Sequence, residues 1–456
     1  MIINILIGLT GLGIVVFFHE AGHFLAAKAF GITVKTFSLG WGKKIYSFQY
    51  GETEYCISLL PLGGYCQLKG EEVLKQAIEK NSDTIEAEEG SLYSVSPWKR
   101  IVVFFAGPFM NLLFSITVLS IIWFNGFSYY SPDSRIILAS DYEPAYATEK
   151  EIFPADKAGL KTGDSIVEID KRPILNYHDI REAVALNPKK EMVIKARRNG
   201  SAFSSVIKPE LNKNTGGGKI GIYPWIDPVI AKIQPGSPAD ISGLKEGDTI
   251  VALSGVKVNN QMDFYGKLNT KPDKFEITYL RDNIQNTVTM VLQYDSNGET
   301  DPGFIFDVNK YSTPDYSLPE AFQKGVSESF ATLFASIKGL KSLFGGVNLN
   351  KAVSGPIRIT YMVGEAASQA FSEGIKQGFI NFFQFLSLIS IALFFMNLLP
   401  IPALDGGQIV FAACEILLRK NFKPKIIYRY QIVGFVFIFF LLFFSLFNDI
   451  LFLVTR

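Results

Sequence analysis

The chain has 456 residues, 48% of them hydrophobic, including 39 phenylalanines. Lysine and arginine (44) balance aspartate and glutamate (43), leaving a net charge of +1, so no basic footprint points to a nucleic-acid partner. Three cysteines without C-x-x-C spacing exclude a disulfide framework and a zinc knuckle. Packing roles are expected for Cys56, Cys66 and Cys414, although the first two could pair in an oxidising medium. What remains is a membrane protein with room for several domains.

The first apolar run, Ile2 to about Ala27, is nearly long enough for a spanning helix before it reaches Phe17-Phe18-His19-Glu20-Ala21-Gly22-His23-Phe24. Histidines four apart share one face of a helix and can hold one zinc ion, while the adjacent glutamate reaches water on that ion. Ionisable groups at such depth are costly and point to function. Two of the chain's three histidines are in this motif. The run lacks a basic n-region and a small-residue cleavage site, so it is expected to remain as a helix.

Tyr46 to Leu68 alternates in polarity and ends in Leu62-Gly63-Gly64-Tyr65, which reads as a strand or hairpin. It is either an ordinary cytoplasmic hairpin or one dipping beside the histidines, where its edge would pair with an extended substrate. Lys69 to Gly90 is acidic and reads as a mobile loop. The second run, about Ile101 to Phe124, follows the interface anchors Trp98, Lys99 and Arg100. Within it, Gly107-Pro108 weakens the helical ladder and Asn111 marks a packed or catalytic contact.

The polar insert of roughly 250 residues that follows contains an internal repeat. Pro154-Ala-Asp-Lys-Ala-Gly-Leu-Lys-Thr-Gly-Asp164 matches Pro238-Ala-Asp-Ile-Ser-Gly-Leu-Lys-Glu-Gly-Asp248. Each copy reads as a short helix, a tight Gly-Asp turn and a strand, and 212–218 reads as a turn or linker around the boundary. The repeat resembles the PDZ domain in its circularly permuted bacterial form, which binds peptides by strand addition. His178, with no ligand-spaced partner, reads as a surface or core residue. Leu318 to Phe344 is amphipathic, to pack on the repeats or lie on the membrane. Ser354-Gly355-Pro356 breaks the chain before another polar helix.

The third run, about Phe379 to Leu399, leads into Asn397-Leu-Leu-Pro400-Ile-Pro402-Ala-Leu-Asp405-Gly-Gly. A catalytic zinc takes three protein ligands. The histidines being used up, Asp405 is the expected third. Pro400 and Pro402 prevent a regular helix, and Asn397 is placed to bond substrate or a developing oxyanion. The fourth run spans about Ile427 to Leu453. Lysines and arginines concentrate in Lys28–Arg100 and Arg419–Arg429. Those connections are therefore expected in the cytoplasm, with both termini and the insert outside.

Taken together, His19-Glu20-x-x-His23, Gly107-Pro108-x-x-Asn111, Ser354-Gly355-Pro356-Ile357 and Asn397 to Gly407 resemble the site-2 protease family. The tandem insert resembles its branch typified by the bacterial envelope-stress protease that cleaves an anti-sigma factor. The resemblance implies a polytopic α-helical membrane protein with four spans, a membrane-associated β-hairpin and an extracytoplasmic tandem PDZ insert. It implies a zinc-dependent intramembrane endopeptidase of the bacterial inner membrane. Its substrates would be single-span membrane proteins, such as anti-sigma factors or signal-peptide remnants, first shortened outside by a site-1-type protease. By the same resemblance the hairpin at Leu62, Gly63, Gly64 and Tyr65 presents substrate as a strand, and the PDZ pair filters substrates by size. Glu20 is the expected base, His19, His23 and Asp405 the metal ligands, and Asn397, Pro400, Pro402 and Asn111 the further substrate contacts. The expected segments are 1–27 (first span), 28–98 (hairpin and acidic loop), 99–125 (second span), 126–215 and 216–312 (PDZ copies), 313–375 (amphipathic helices), 376–418 (third membrane region) and 419–456 (basic loop and fourth span). A non-catalytic PDZ scaffold and a metal transporter are the competing classes. Neither accounts for both the full site set and the insert.

Overall fold

The computed structural model describes residues 2–85, 88–142, 152–294, 300–343, 355–372 and 374–454. The chain divides into two compact units, Met1–Phe127 with Thr313–Arg456, and Ser128–Ser312.

In the first unit, helix α1 spans Ile2–Ala29 and carries the histidine motif in its last third. Its glycines let other helices touch its backbone, as small residues do where lipid gives helices no hydrophobic reason to associate. A Cβ on Gly22 would lie 2.2 Å from the Ala106 carbonyl oxygen, and one on Gly8 2.2 Å from that of Thr360. Two long strands follow, β1 (Val34–Tyr50) and β2 (Thr53–Leu68). Leu39 of β1 pairs with both Ile57 and Gly64, while Phe48 pairs with Tyr55. The two strands therefore fold into a sheet of four stretches, ordered 44–50, 53–58, 34–41 and 64–68. The chain reverses at Gly51–Glu52, not at Gly63–Gly64, which lies inside β2. Gly64 is required there because a Cβ would come within 2.5 Å of the Ser38 carbonyl oxygen. Ile45, Tyr46, Phe48 and Tyr50 are all exposed on the far part of the sheet, an apolar surface suited to lipid or protein.

The segment expected to be a mobile loop instead contains helix α2, Glu71–Glu79. Val73, Leu74 and Ala77 are buried on one face of it. The spacing of these three residues is helical, but the surrounding acids hid it. Helix α3, Pro97–Asn125, continues unbroken through Pro108.

The second unit holds two cores, one from Ile136 to Ile220 and one from Ile230 to Phe306. In the first, strands β3 (Ser165–Ile169), β4 (Arg172–Pro173), β5 (Met192–Arg198) and β6 (Ser201–Ile207) form a sheet in the order β4-β3-β5-β6, beside helix α4 (Tyr177–Ala185). In the second, β7 (Thr249–Leu253), β8 (Val256–Lys257), β9 (Lys274–Arg281) and β10 (Ile284–Val291) repeat the order as β8-β7-β9-β10, beside helix α5 (Gln261–Leu268). The repeated Gly-Asp turns explain themselves. Asp164 accepts from the Lys161 amide at 2.7 Å and takes Arg198 in a two-pronged pair. Asp248 does the same with the Lys245 amide at 2.8 Å and with Arg281. Ile220 and Ile222 pack in the first core, past the expected boundary after residue 215, because 212–218 is a turn within that fold. His178 meets Arg181 and Tyr129.

Back in the first unit, helix α6 (Leu318–Leu343) packs on α3. Its buried stripe is Ala321, Gly325 and Ser329. A Cβ on Gly325 would lie 2.3 Å from the Ser120 hydroxyl oxygen, and the Ser329 and Ser115 hydroxyls are 3.4 Å apart. Helix α7 (Pro356–Ser372) starts at the Gly355-Pro356 break; Ser354 and Phe344 lie outside the described residues. Asp449, fully buried, accepts from the amides of Gly355, Ile357 and Arg358 and so caps α7. The expected third membrane region is two helices, α8 (Ile375–Asn397) and α9 (Asp405–Leu418), parted by the two prolines. Helix α10, Pro424–Val454, ends the fold. Arg100 of α3 and Glu415 of α9, both buried, form an ion pair. Among the described residues, α1, α3, α8 and α10 are long and apolar enough to cross a bilayer.

Candidate metal centre and active site

One turn of α1 places His19 and His23 together, both buried, with their Nε2 atoms 3.2 Å apart. Asp405, the first residue of α9, brings Oδ2 to 3.2 Å from His19 Nε2 and 3.4 Å from His23 Nε2. Ligands of one tetrahedral ion at about 2.0–2.1 Å stand about 3.3–3.4 Å apart, so the triangle already has the dimensions of a zinc site. Among the described residues this is the cluster with the donor set for a metal.

The surroundings fit as well. His23 Nδ1 lies 2.8 Å from the Val103 carbonyl oxygen. That oxygen can accept and not donate, so the ring carries its proton on Nδ1 and presents a lone pair on Nε2. Gly107 clears the space for this ring, since a Cβ there would lie 2.3 Å from Nε2. Asn397, the last residue of α8, places Nδ2 3.4 Å from His19 Nε2. Asn111, expected to touch substrate, is fully buried and stands behind His19, with Nδ2 3.2 Å from Nδ1. It is not among the residues that line the cavity described below.

The sequence comparisons point to zinc as well. The model of Peptidase family M50 matches residues 7–441. The chain belongs to peptidase family M50. It is 34% identical over 453 residues to a Treponema pallidum protein named "Putative zinc metalloprotease", covering 99% of both chains. It is also 34% identical over 456 residues to a protein of the same name from Borreliella burgdorferi, covering 98% of both. A solved PDZ domain of an SdrC-like protein from Listeria monocytogenes aligns with 18% of this chain and 90% of its own, at 18% identity and a TM-score of 0.17.

In this M50 peptidase the three donors open onto a cavity of about 940 Å³, lined also by Glu20, Tyr65, Cys66 and Asn397. Glu20 faces β2, with its Cγ 3.7 Å from the Cβ position of Gly64. The stretch 64–68 is the edge of its sheet and has no strand partner on its other side among the described residues. Of the expected contacts, Asn397 and Tyr65 line the cavity, Gly64 stands against Glu20, and Gly63 stands against Val16 and Trp41. The side chain of Leu62 lies outside the described residues.

Pro400 and Pro402 shape the turn and do not line the cavity. Gly406 and Gly407 press on it, with Cβ positions 2.4 Å from the Leu398 carbonyl oxygen and 2.1 Å from that of Ile401. Gln408 donates to the Pro402 carbonyl at 2.9 Å. From the fourth span, Gly434 packs on Pro402 and Ala403, and the Tyr430 hydroxyl donates to the Gly407 carbonyl at 3.1 Å. Sequence reading missed Leu74 and Ile78 of α2 and Tyr428, Gln431 and Phe435 of α10, which form the opposite wall. The buried face of α2 was the available signal for the first pair.

Proposed function

We propose that the protein is a zinc-dependent intramembrane endopeptidase acting on single-span membrane proteins. The observation that carries the reading is the His19–His23–Asp405 triangle, opening with Glu20 onto a cavity beside a free strand edge. His19, His23 and Asp405 hold the metal. When bound, zinc supplies Lewis acidity, which acidifies water and polarises a carbonyl.

The chain's own residues do the rest. A helical substrate shields its peptide bonds, so it must be unwound. The 64–68 edge offers backbone donors and acceptors that replace the lost helical bonds and hold the segment extended past the donors. Glu20 takes the proton of the attacking water and passes it to the leaving amine. Asn397, on the same cavity wall, orients the scissile carbonyl. The lysine and arginine bias favours a bacterial inner-membrane orientation with the Ser128–Ser312 unit outside. There it would screen substrates already trimmed by another protease, as in an envelope stress response.

The test is co-expression of the chain, or its Glu20→Gln variant, with a single-span substrate lacking its outer domain. A truncated product from the parent alone supports the reading. Cleavage by the variant at the parent's rate would remove Glu20 as the base, and no metal in the parent would remove the reading itself.

A further inference from the structure

We propose that Asn111 is a positioning residue that fixes the ring tautomer of His19, by accepting a hydrogen bond from His19 Nδ1 through its side-chain oxygen. The inference rests on the zinc reading above. His19 turns Nε2 towards His23 and Asp405, so ligation needs the lone pair on Nε2 and the proton on Nδ1. Among the described residues, the hydrogen-bond partner of Nδ1 is the Asn111 side chain, at 3.2 Å. An amide NH2 there would oppose an N–H, whereas an amide oxygen would accept from it.

A half-turn of the amide exchanges its oxygen and nitrogen without moving other atoms, so the two orientations are told apart by their partners. With Nδ2 towards His19, the fully buried Oδ1 has no hydrogen-bond partner. The surroundings therefore do not hold the oxygen there, and the Nδ1 proton that ligation requires decides the orientation. The turned amide gives that oxygen the Nδ1 proton. The two orientations therefore select opposite tautomers. One leaves Nε2–H to bond Asp405, and the other frees Nε2 for a metal.

The rest of the site shows why this residue carries the task. His23 receives the same service from the Val103 carbonyl at 2.8 Å. His19, one turn earlier on α1, meets the Asn111 side chain instead, with the amide 3.2 Å from Nδ1. Ser390 of α8 donates to the Asn111 carbonyl at 2.9 Å and pins the backbone from the other side. One histidine is thus oriented by main chain and the other by a side chain, both from α3.

The experiment uses the full chain in detergent, with zinc affinity measured by chelator competition and the His19 ring tautomer read by nitrogen NMR. Asn111→Leu keeps the volume and removes the acceptor. It should bind zinc 10–100-fold more weakly, the usual cost of losing such a partner, and its NMR signal should no longer report a single Nδ1–H form. Asn111→Asp can only accept, and should bind within about threefold of the parent. Equal affinity in parent and Asn111→Leu would overturn the proposal. Equal losses in both variants would also overturn it, by reducing Asn111 to a packing role. A parent that binds no zinc would overturn the metal reading, an outcome distinct from either.

Discussion

The two units of the molecule place their buried charge by opposite rules. In Ser128–Ser312 each buried aspartate finds its partners within one fold, and the device is made twice, as Asp164 with Arg198 and as Asp248 with Arg281. In the helical unit the polar groups come from four separate elements, namely His19 and His23 from α1, Asn111 from α3, Asn397 from α8 and Asp405 from α9. The duplicated device stabilises a domain, and the assembled one is the set proposed for chemistry. A local error in the first is expected to stay local. In the second, one displaced helix disturbs every member.

That contrast can be broken by measurement, from the largest expected effect downward. Glu20→Gln should lower cleavage by about 10²–10⁴-fold, the worth of a general base, with zinc content unchanged by elemental analysis. Gly107→Val should push the His23 ring off Nδ1–Val103 and cost about 10²-fold in cleavage, since misplacement by about 1 Å is enough; zinc affinity should fall with it. Gly64→Val meets the Ser38 carbonyl and distorts the strand edge, so cleavage should fall about tenfold, the value of one or two backbone bonds, while zinc binding stays at the parent's level. Asp164→Asn should destabilise the second unit by about 2 kcal/mol, less than a fully buried pair would lose because Arg198 is partly exposed. Hydrogen exchange should place that loss in the first copy, with zinc affinity and the second copy untouched. Spread of the Asp164→Asn effect into the helical unit would erase the contrast.

The sequence was legible where chemistry interrupts an apolar background. His19, Glu20, His23, Asn111, Asn397 and Asp405 stand out because so little around them is polar, and the structure gathers all of them within a few bonds of one another or on one cavity. It was also legible where the chain repeats itself, since two Gly-Asp turns at matching offsets admit one explanation. It was not legible where partners decide the outcome. The acids of α2 looked like a solvated loop because the wall that buries Val73 and Leu74 is supplied by other segments. The amphipathic face of α6 named no partner, because the stripe that seats it on α3 is made of the small residues Ala321, Gly325 and Ser329 and not of its phenylalanines. Asn111 was read as a packed or catalytic contact and grouped with the substrate contacts, and the structure sets it against His19 Nδ1. Its position in a span says that it must bond something, but the identity of that group depends on the rotation of α1 against α3.

The order of the site along the chain has a consequence for biosynthesis. The histidines and Glu20 are made first, and Asp405 emerges several hundred residues later. At about 5–20 residues per second the nascent protein spends tens of seconds in the membrane with an incomplete donor set. The last ligand arrives with the turn on which the final span packs through Gly434. On the proposed reading, a chain cut short before Asp405 lacks one of its three donors and should bind zinc weakly and cleave nothing.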